Sequence, residues 1–184
     1  MSERESLAAL LRERSIKFGD FELASGQRSS YYIDARKTTM SAEGQLLIGR
    51  LGLRAIRAAG WLPAAVGGLT LGADPVALAI ARASLDEPPV IQAFSVRKAP
   101  KQHGTASRIE GNFIPELPVV VLEDVITSGG SAWQAVEAVR AQGGRVLGVL
   151  AVVDRLAGGR AMLESQELVV VALTTIKDLG IQPA

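Results

Sequence analysis

The sequence predicts an α/β fold, with a mainly parallel sheet flanked by helices. Two observations carry this. The apolar runs at 64–67, 90–94, 119–122, 146–153 and 168–173 lack the polar–apolar alternation of a half-exposed sheet, as expected for strands covered on both faces. Most are separated by segments of helical period, the pattern of βα units. No repeat, low-complexity tract or interdomain linker interrupts them, so residues 1–184 are expected to form one domain.

The elements follow in order. Ser2 and Glu5 have capping-box spacing, and Leu7, Leu10, Leu11 and Arg14 continue at helical intervals. Residues 21–34 change character, with Ser25-Gly26 as a turn between FELA and SSYYID. Ser41 caps a long amphipathic helix ending near Gly60. Arg50, Arg54 and Arg57 share one side of it, and Leu47, Leu51 and Ala55 another. Asp74-Pro75 offers an N-cap and a first-turn proline for a helix through about Ser84. Residues 129–141 form a helix closed by Gly143-Gly144.

Composition narrows the function. Lys+Arg number 20 against Asp+Glu 19, which gives no overall basic field for general nucleic-acid binding. Anion binding must then come from local placement of charge. With no cysteine, disulfides and thiolate metal sites are excluded, and a reducing cytosol is the expected compartment. The charged start, MSERESLAALLRERS, is too short in its apolar part for a signal peptide or membrane span. The expectation is a cytoplasmic protein without membrane or nucleic-acid partners.

VVVLEDVITSGGS, residues 119–131, carries the most chemistry. An apolar strand runs into Glu123 and Asp124, and a Thr/Ser/Gly loop then opens a helix. The carboxyl end of a parallel strand is where α/β proteins bind ligands. Gly129 and Gly130 let backbone N–H groups approach an anion at a helix N-terminus, and Thr127, Ser128 and Ser131 add hydroxyls. Carboxylates suit sugar hydroxyls rather than phosphate. The segment 123–131, with Val125 and Ile126 between acids and loop, therefore fits a ribose 5-phosphate. A strand–turn–helix junction whose acids only cap the helix is the plainer reading. The GxxxxGK[ST] and GxGxxG patterns are both missing, which argues against a P-loop and a dinucleotide fold.

Between Phe94 and Val119 lie more than twenty residues without clear periodicity, carrying Arg97, Lys98, Lys101, His103 and Arg108. Such a loop is either a solvated basic segment or a catalytic lid. A histidine metal site is improbable with one histidine and no cysteine.

Residues 119–131 resemble the phosphoribosyl-pyrophosphate signature of type I phosphoribosyltransferases. FELASGQRSSYYIDAR at 21–36, RKAPKQHG at 97–104 and Asp154-Arg155 narrow the resemblance to the orotate branch of that family, over roughly residues 16–178. The resemblance implies transfer of a 5-phosphoribosyl group to orotate in de novo pyrimidine biosynthesis, giving orotidine 5'-monophosphate and pyrophosphate. It implies a type I fold with an N-terminal hood at about 1–40, Mg2+ held mainly through phosphoribosyl pyrophosphate, and a homodimer whose loop closes over the partner's site. It assigns Arg97, Lys98, Lys101 and His103 to the diphosphate, residues 123–131 to ribose and 5-phosphate, and Thr127 and Arg155 to orotate.

Physical chemistry supports part of that assignment. A guanidinium recognises a carboxylate bidentately, which suits Arg155 to orotate, with a surface ion pair as the plainer reading. Lys101 is the expected leaving-group stabiliser; His103 is a proton donor, an anion ligand or merely exposed. Tyr32 packs either near the base or in the core, and Trp61 and Trp133 are expected to pack. Two family lysines are absent: the chain has Ala24 before the Ser-Gly turn and Thr70-Leu71 within the glycine-rich diphosphate loop GGLTLGADP. A purine phosphoribosyltransferase and a diphosphate-sensing, nucleic-acid-binding regulator are the alternatives.

Overall fold

Ser2 opens the chain's first helix by a reciprocal capping box with Glu5, so helix α1, Glu3–Ser15, begins where the spacing predicts. The computed structural model describes residues 1–22, 28–99 and 107–183. Strands β1 (Ile16–Glu22) and β2 (Arg28–Ile33) follow and pair antiparallel as a separate two-stranded sheet; the expected Ser25-Gly26 turn between them lies outside the described residues. A short helix α2, Arg36–Thr39, leads to α3, Ala42–Ala58, whose N-cap Ser41 accepts the Gly44 N–H at 3.1 Å. On α3 the arginine side meets carboxylates, with Arg50 and Arg54 reaching Glu3 and Arg57 reaching Glu87.

The main sheet then builds from β3 (Ala65–Leu69), β4 (Gln92–Val96), β5 (Ile109–Gly111), β6 (Pro118–Ile126), β7 (Arg145–Asp154) and β8 (Val170–Thr175). Their spatial order is β5-β4-β3-β6-β7-β8, all parallel except the edge strand β5. Helices α4 (Ala73–Asp86), α5 (Gly130–Ala141) and α6 (Gly159–Glu164) complete the chain.

Two apolar clusters explain the strands' missing alternation. Val66, Val120, Leu122, Leu150 and Val152 join residues of α1, α3 and α4 in one cluster. Their neighbours Ala65, Val119, Val121, Val149 and Ala151 join α5 and Leu163 in the other. Successive residues point to opposite faces, and both faces are covered. Trp61 packs into the first cluster and Trp133 against the second, as expected. No helix of the described residues is long and apolar enough to cross a membrane.

Several boundaries depart from expectation. Helix α4 starts at Ala73 with Gly72 as its N-cap, so Asp74 is not the cap. Its carboxylate instead receives the Ser95 hydroxyl from β4. Strand β4 begins at Gln92, two residues later than expected, because the Ile91 N–H is taken at 2.9 Å by Ser84 Oγ in the last turn of α4. Strand β6 runs on to Ile126 because β7 pairs with it that far, so the acids lie within the strand. The stretch without periodicity contains β5, three residues paired antiparallel to β4.

Candidate active site

The ends of β3, β6 and β7, with the β2–α2 segment, enclose a cleft of about 570 Å³. Glu123 stands at its floor, 7 % exposed, with Oε2 buried and unpaired. Burial pushes its carboxyl up to about 9, and the adjacent Asp124 charge adds to the shift. A buried, unpaired acceptor is costly in the fold and ready for a hydroxyl donor. Asp124, the next residue on the strand, accepts the Val125 N–H at 2.8 Å. Its carboxylate lies so close to Gly72 that a Cβ there would meet Oδ1 at 2.7 Å. The glycine-rich loop thus approaches the acids only without a side chain.

Beyond the acids, Glu123 and residues 125–131 enclose a smaller recess of about 100 Å³. Thr127, Ser128 and Ser131 face it with their backbone neighbours. Gly129, the N-cap of α5, has φ +82, and a Cβ on it would strike Met162 and the Gly159 carbonyl. Fold requirements explain that glycine. They do not explain Gly130, whose added Cβ would meet only Ser128 Oγ, at 3.7 Å. The missing side chain there leaves room beside the helix N-terminus, where backbone N–H groups favour an anion.

At the other end, the Arg155 N–H is held by the Ile126 carbonyl at 3.0 Å. Its guanidinium carbon lies 4.8 Å from the Tyr31 ring centroid, and Nε–H donates to Tyr31 Oη at 3.4 Å. Buried Asp154 shapes this turn, accepting the Leu156 N–H at 2.8 Å and Arg160 Nε at 2.9 Å.

The cleft and recess together bring Lys98, Glu123, Asp124, Val125, Thr127, Ser128, Gly129, Gly130, Ser131 and Arg155 into one region. Ile126 also lines the recess but is 1 % exposed, and it belongs to the core. Arg97 does not line the cleft; its guanidinium is 3.7 Å from Glu110 on β5. Lys101 and His103 lie outside the described residues. Tyr32 lines the cleft, 42 % exposed, while Tyr31 is the buried member of the pair, at 5 %. Asp34 and Arg36, not singled out in the sequence, also line it. Only their position after β2 at the cleft's mouth distinguishes them from other surface charges.

No protein-family model matches the chain. Whole-chain comparisons are decisive instead. The orotate phosphoribosyltransferase of Rhodopirellula baltica is 45 % identical over 181 residues, covering 96 % of this chain and 94 % of that protein. That of Aquifex aeolicus is 46 % identical over 182 residues, covering 97 % and 98 %. The crystal structure of the Mycobacterium tuberculosis orotate phosphoribosyltransferase with phosphoribosyl pyrophosphate superposes with a TM-score of 0.83 at 40 % identity, covering 98 % of this chain and all of that one. With identity this high over nearly the full length of both proteins, the chain belongs to the orotate phosphoribosyltransferase family.

Proposed function

We propose that the protein transfers the 5-phosphoribosyl group of phosphoribosyl pyrophosphate to orotate, giving orotidine 5'-monophosphate and pyrophosphate, in pyrimidine biosynthesis in the cytoplasm. The observation that carries this reading is continuity. A phosphate-sized recess, an acid pair and an arginine follow one another along the ends of β6 and β7. That order matches 5-phosphate, ribose and a base bearing a carboxylate.

In this reading residues 125–131 hold the 5-phosphate, Glu123 and Asp124 accept the ribose hydroxyls, and Thr127 and Arg155 contact orotate. As the glycosidic bond to pyrophosphate breaks, positive charge builds at the anomeric carbon and negative charge on the leaving oxygen. Orotate nitrogen then bonds to that carbon and gives up its proton to the departing pyrophosphate or to water. Residues that fix charge at both ends in a water-poor cleft lower the barrier. Lys98 lines the cleft, which supports its assignment to the diphosphate. Lys101 and His103 add leaving-group charge when the loop closes. Among the described residues no three acids or histidines cluster as metal ligands. Mg2+ would take its oxygens chiefly from phosphoribosyl pyrophosphate and water, and would neutralise the diphosphate.

The chain is further proposed to act as one domain, residues 1–40 forming a hood, and as a homodimer. Leu78 and Leu85 on α4 are 61 % and 59 % exposed at seven-residue spacing, a stripe suited to burial against a second copy. Arg97 and Lys98 are adjacent but part ways, Lys98 lining the cleft and Arg97 reaching Glu110 on β5. Purified protein mixed with orotate, phosphoribosyl pyrophosphate and magnesium should consume orotate absorbance and release pyrophosphate. Turnover of adenine, hypoxanthine, guanine or uracil in place of orotate would overturn the reading.

A further inference from the structure

Among the described residues, few cations line the side of the cleft nearest the glycine-rich loop. Leu71 lines it, 62 % exposed, at the position where the family resemblance leads one to expect lysine, and position 24 is alanine. The cations lining the cleft, among the described residues, are Arg36, Lys98 and Arg155. Arg155 is engaged with Tyr31 at the far end. Arg36 remains without a role.

Its placement supplies one. Helix α2, which begins with Arg36, is tied to the segment just after the glycine-rich loop. The Gln45 amide nitrogen donates to the Thr39 carbonyl and, at 2.8 Å, to the Pro75 carbonyl at the start of α4. Asp124 lies against Gly72 of the same loop. Arg36 has its pKa raised, first by its hydrogen bond to Asp34 and that residue's charge, and to a smaller degree by Tyr32 and Asp124. The guanidinium therefore sits within the field of the ribose-binding acid. Half of its side chain, 47 %, is exposed, so packing does not require it. The bond to Asp34, 2.9 Å long, uses Nε. Both terminal nitrogens still carry N–H donors in the planar fork that suits phosphate oxygens.

We infer that Arg36 binds the diphosphate of phosphoribosyl pyrophosphate within its own subunit, held in aim by Asp34, and takes the place of the cation absent at position 71. The inference rests on the phosphoribosyl-transfer reading above. Among the described residues Lys98 would otherwise be the one cation assigned to a group carrying several negative charges; a second fixed cation shares that charge and orients the leaving oxygen.

The test compares wild type, Arg36→Met, Arg36→Lys, Leu71→Lys and the double variant Arg36→Met/Leu71→Lys. Each is assayed for KM of both substrates, for calorimetric binding of inorganic pyrophosphate with magnesium, and for thermal midpoint. For Arg36→Met, the KM for phosphoribosyl pyrophosphate should rise at least about tenfold, the scale of one lost charge-assisted hydrogen bond, with pyrophosphate binding weakened alike. The KM for orotate should stay within about twofold on the same scale. Arg36→Lys should fall between, and Leu71→Lys should restore much of the loss when combined with Arg36→Met. Unchanged pyrophosphate binding and KM in Arg36→Met would overturn the inference. So would a rise confined to the KM for orotate, which would assign the guanidinium to the base instead. If wild type itself failed to turn over orotate, the parent reading would fall; failure of Arg36 alone leaves wild-type turnover intact.

Discussion

Arg155 lies over the ring of Tyr31, its guanidinium carbon 4.8 Å from the ring centroid and its Nε–H directed at the phenol oxygen. The two residues come from different layers, Tyr31 from the N-terminal hairpin and Arg155 from the end of a main-sheet strand. A cation–π contact contributes roughly 0.5–1 kcal/mol when exposed and about 2 kcal/mol when desolvated, and Arg155 is half-buried. That is enough to select one arginine conformation out of several.

Tyr31 should therefore control orotate binding through Arg155. Arg155→Leu should weaken orotate binding by about 1.5–3 kcal/mol while leaving phosphoribosyl pyrophosphate affinity unchanged. Tyr31→Phe keeps the ring and loses a long hydrogen bond, so its orotate KM should rise less than about threefold, an effect under 1 kcal/mol. Tyr31→Leu should raise orotate KM further at similar kcat and also lower the thermal midpoint, since Tyr31 is buried. Equal loss of both substrates' affinities in Tyr31→Leu would mean the ring serves only the fold.

Much of this site was legible in the sequence because its parts are local. The acids, the hydroxyls and Gly129-Gly130 lie within nine residues, and strand-to-helix geometry brings them together. The Tyr31–Arg155 contact spans 124 residues, and no spacing rule announces it. Choosing between Tyr31 and Tyr32 requires knowing which residue of β2 packs on the core, since even Phe18, the β1 partner of buried Tyr31, is 71 % exposed. Edge strand β5 and helix α6 were hidden for another reason. They are three and six residues long, too short for a period to show. The helix start misassigned to Asp74 reflects a competing partner: Ser95 belongs to a strand that sequence alone does not set beside it.

Gly130→Ala separates a ligand requirement from a fold requirement. The added methyl meets nothing closer than Ser128 Oγ at 3.7 Å, and alanine is the better helix former. The thermal midpoint should hold or rise slightly. Affinity for phosphoribosyl pyrophosphate should fall by about tenfold or more if the recess holds the 5-phosphate as proposed, because the methyl would then take space from a phosphate oxygen. Gly129→Ala, at φ +82 and against Met162, should instead lose stability. Calorimetry and thermal melts of the two variants check this opposition.

Glu123 gives a pH signature. Its carboxyl, held up to about 9 by burial and the Asp124 charge, keeps in the folded state a proton that the unfolded chain has lost. Between the ordinary glutamate range and about 9 the folded state binds more protons than the unfolded one. Stability contributed by this group is thus present at low pH and declines as pH rises, by at most about 1.4 kcal/mol per unit. Glu123→Gln has no such proton to lose. Without ligand, the wild-type midpoint should fall relative to that of Glu123→Gln on going from about pH 5.5 to about pH 8.5, while activity of the variant is strongly reduced. Parallel midpoints across that range would show that Glu123 is ionised in the free protein.

A shared-site dimer, as proposed, makes a prediction that no single-chain site reproduces. Lys101→Ala should impair the neighbour's site, whereas Arg155→Leu impairs its own. Each homodimer should be nearly inactive at limiting orotate. When equal amounts are mixed and subunits exchange, a heterodimer contains one site with both defects and one with neither. Random pairing makes about half of the dimers mixed, so about a quarter of all sites regain full function. Were Lys101 to act within its own chain, every mixed dimer would hold two singly defective sites, and mixing would restore nothing. Activity that stays at the level of the separate variants, with exchange verified by differently tagged chains, therefore excludes a loop that serves the partner.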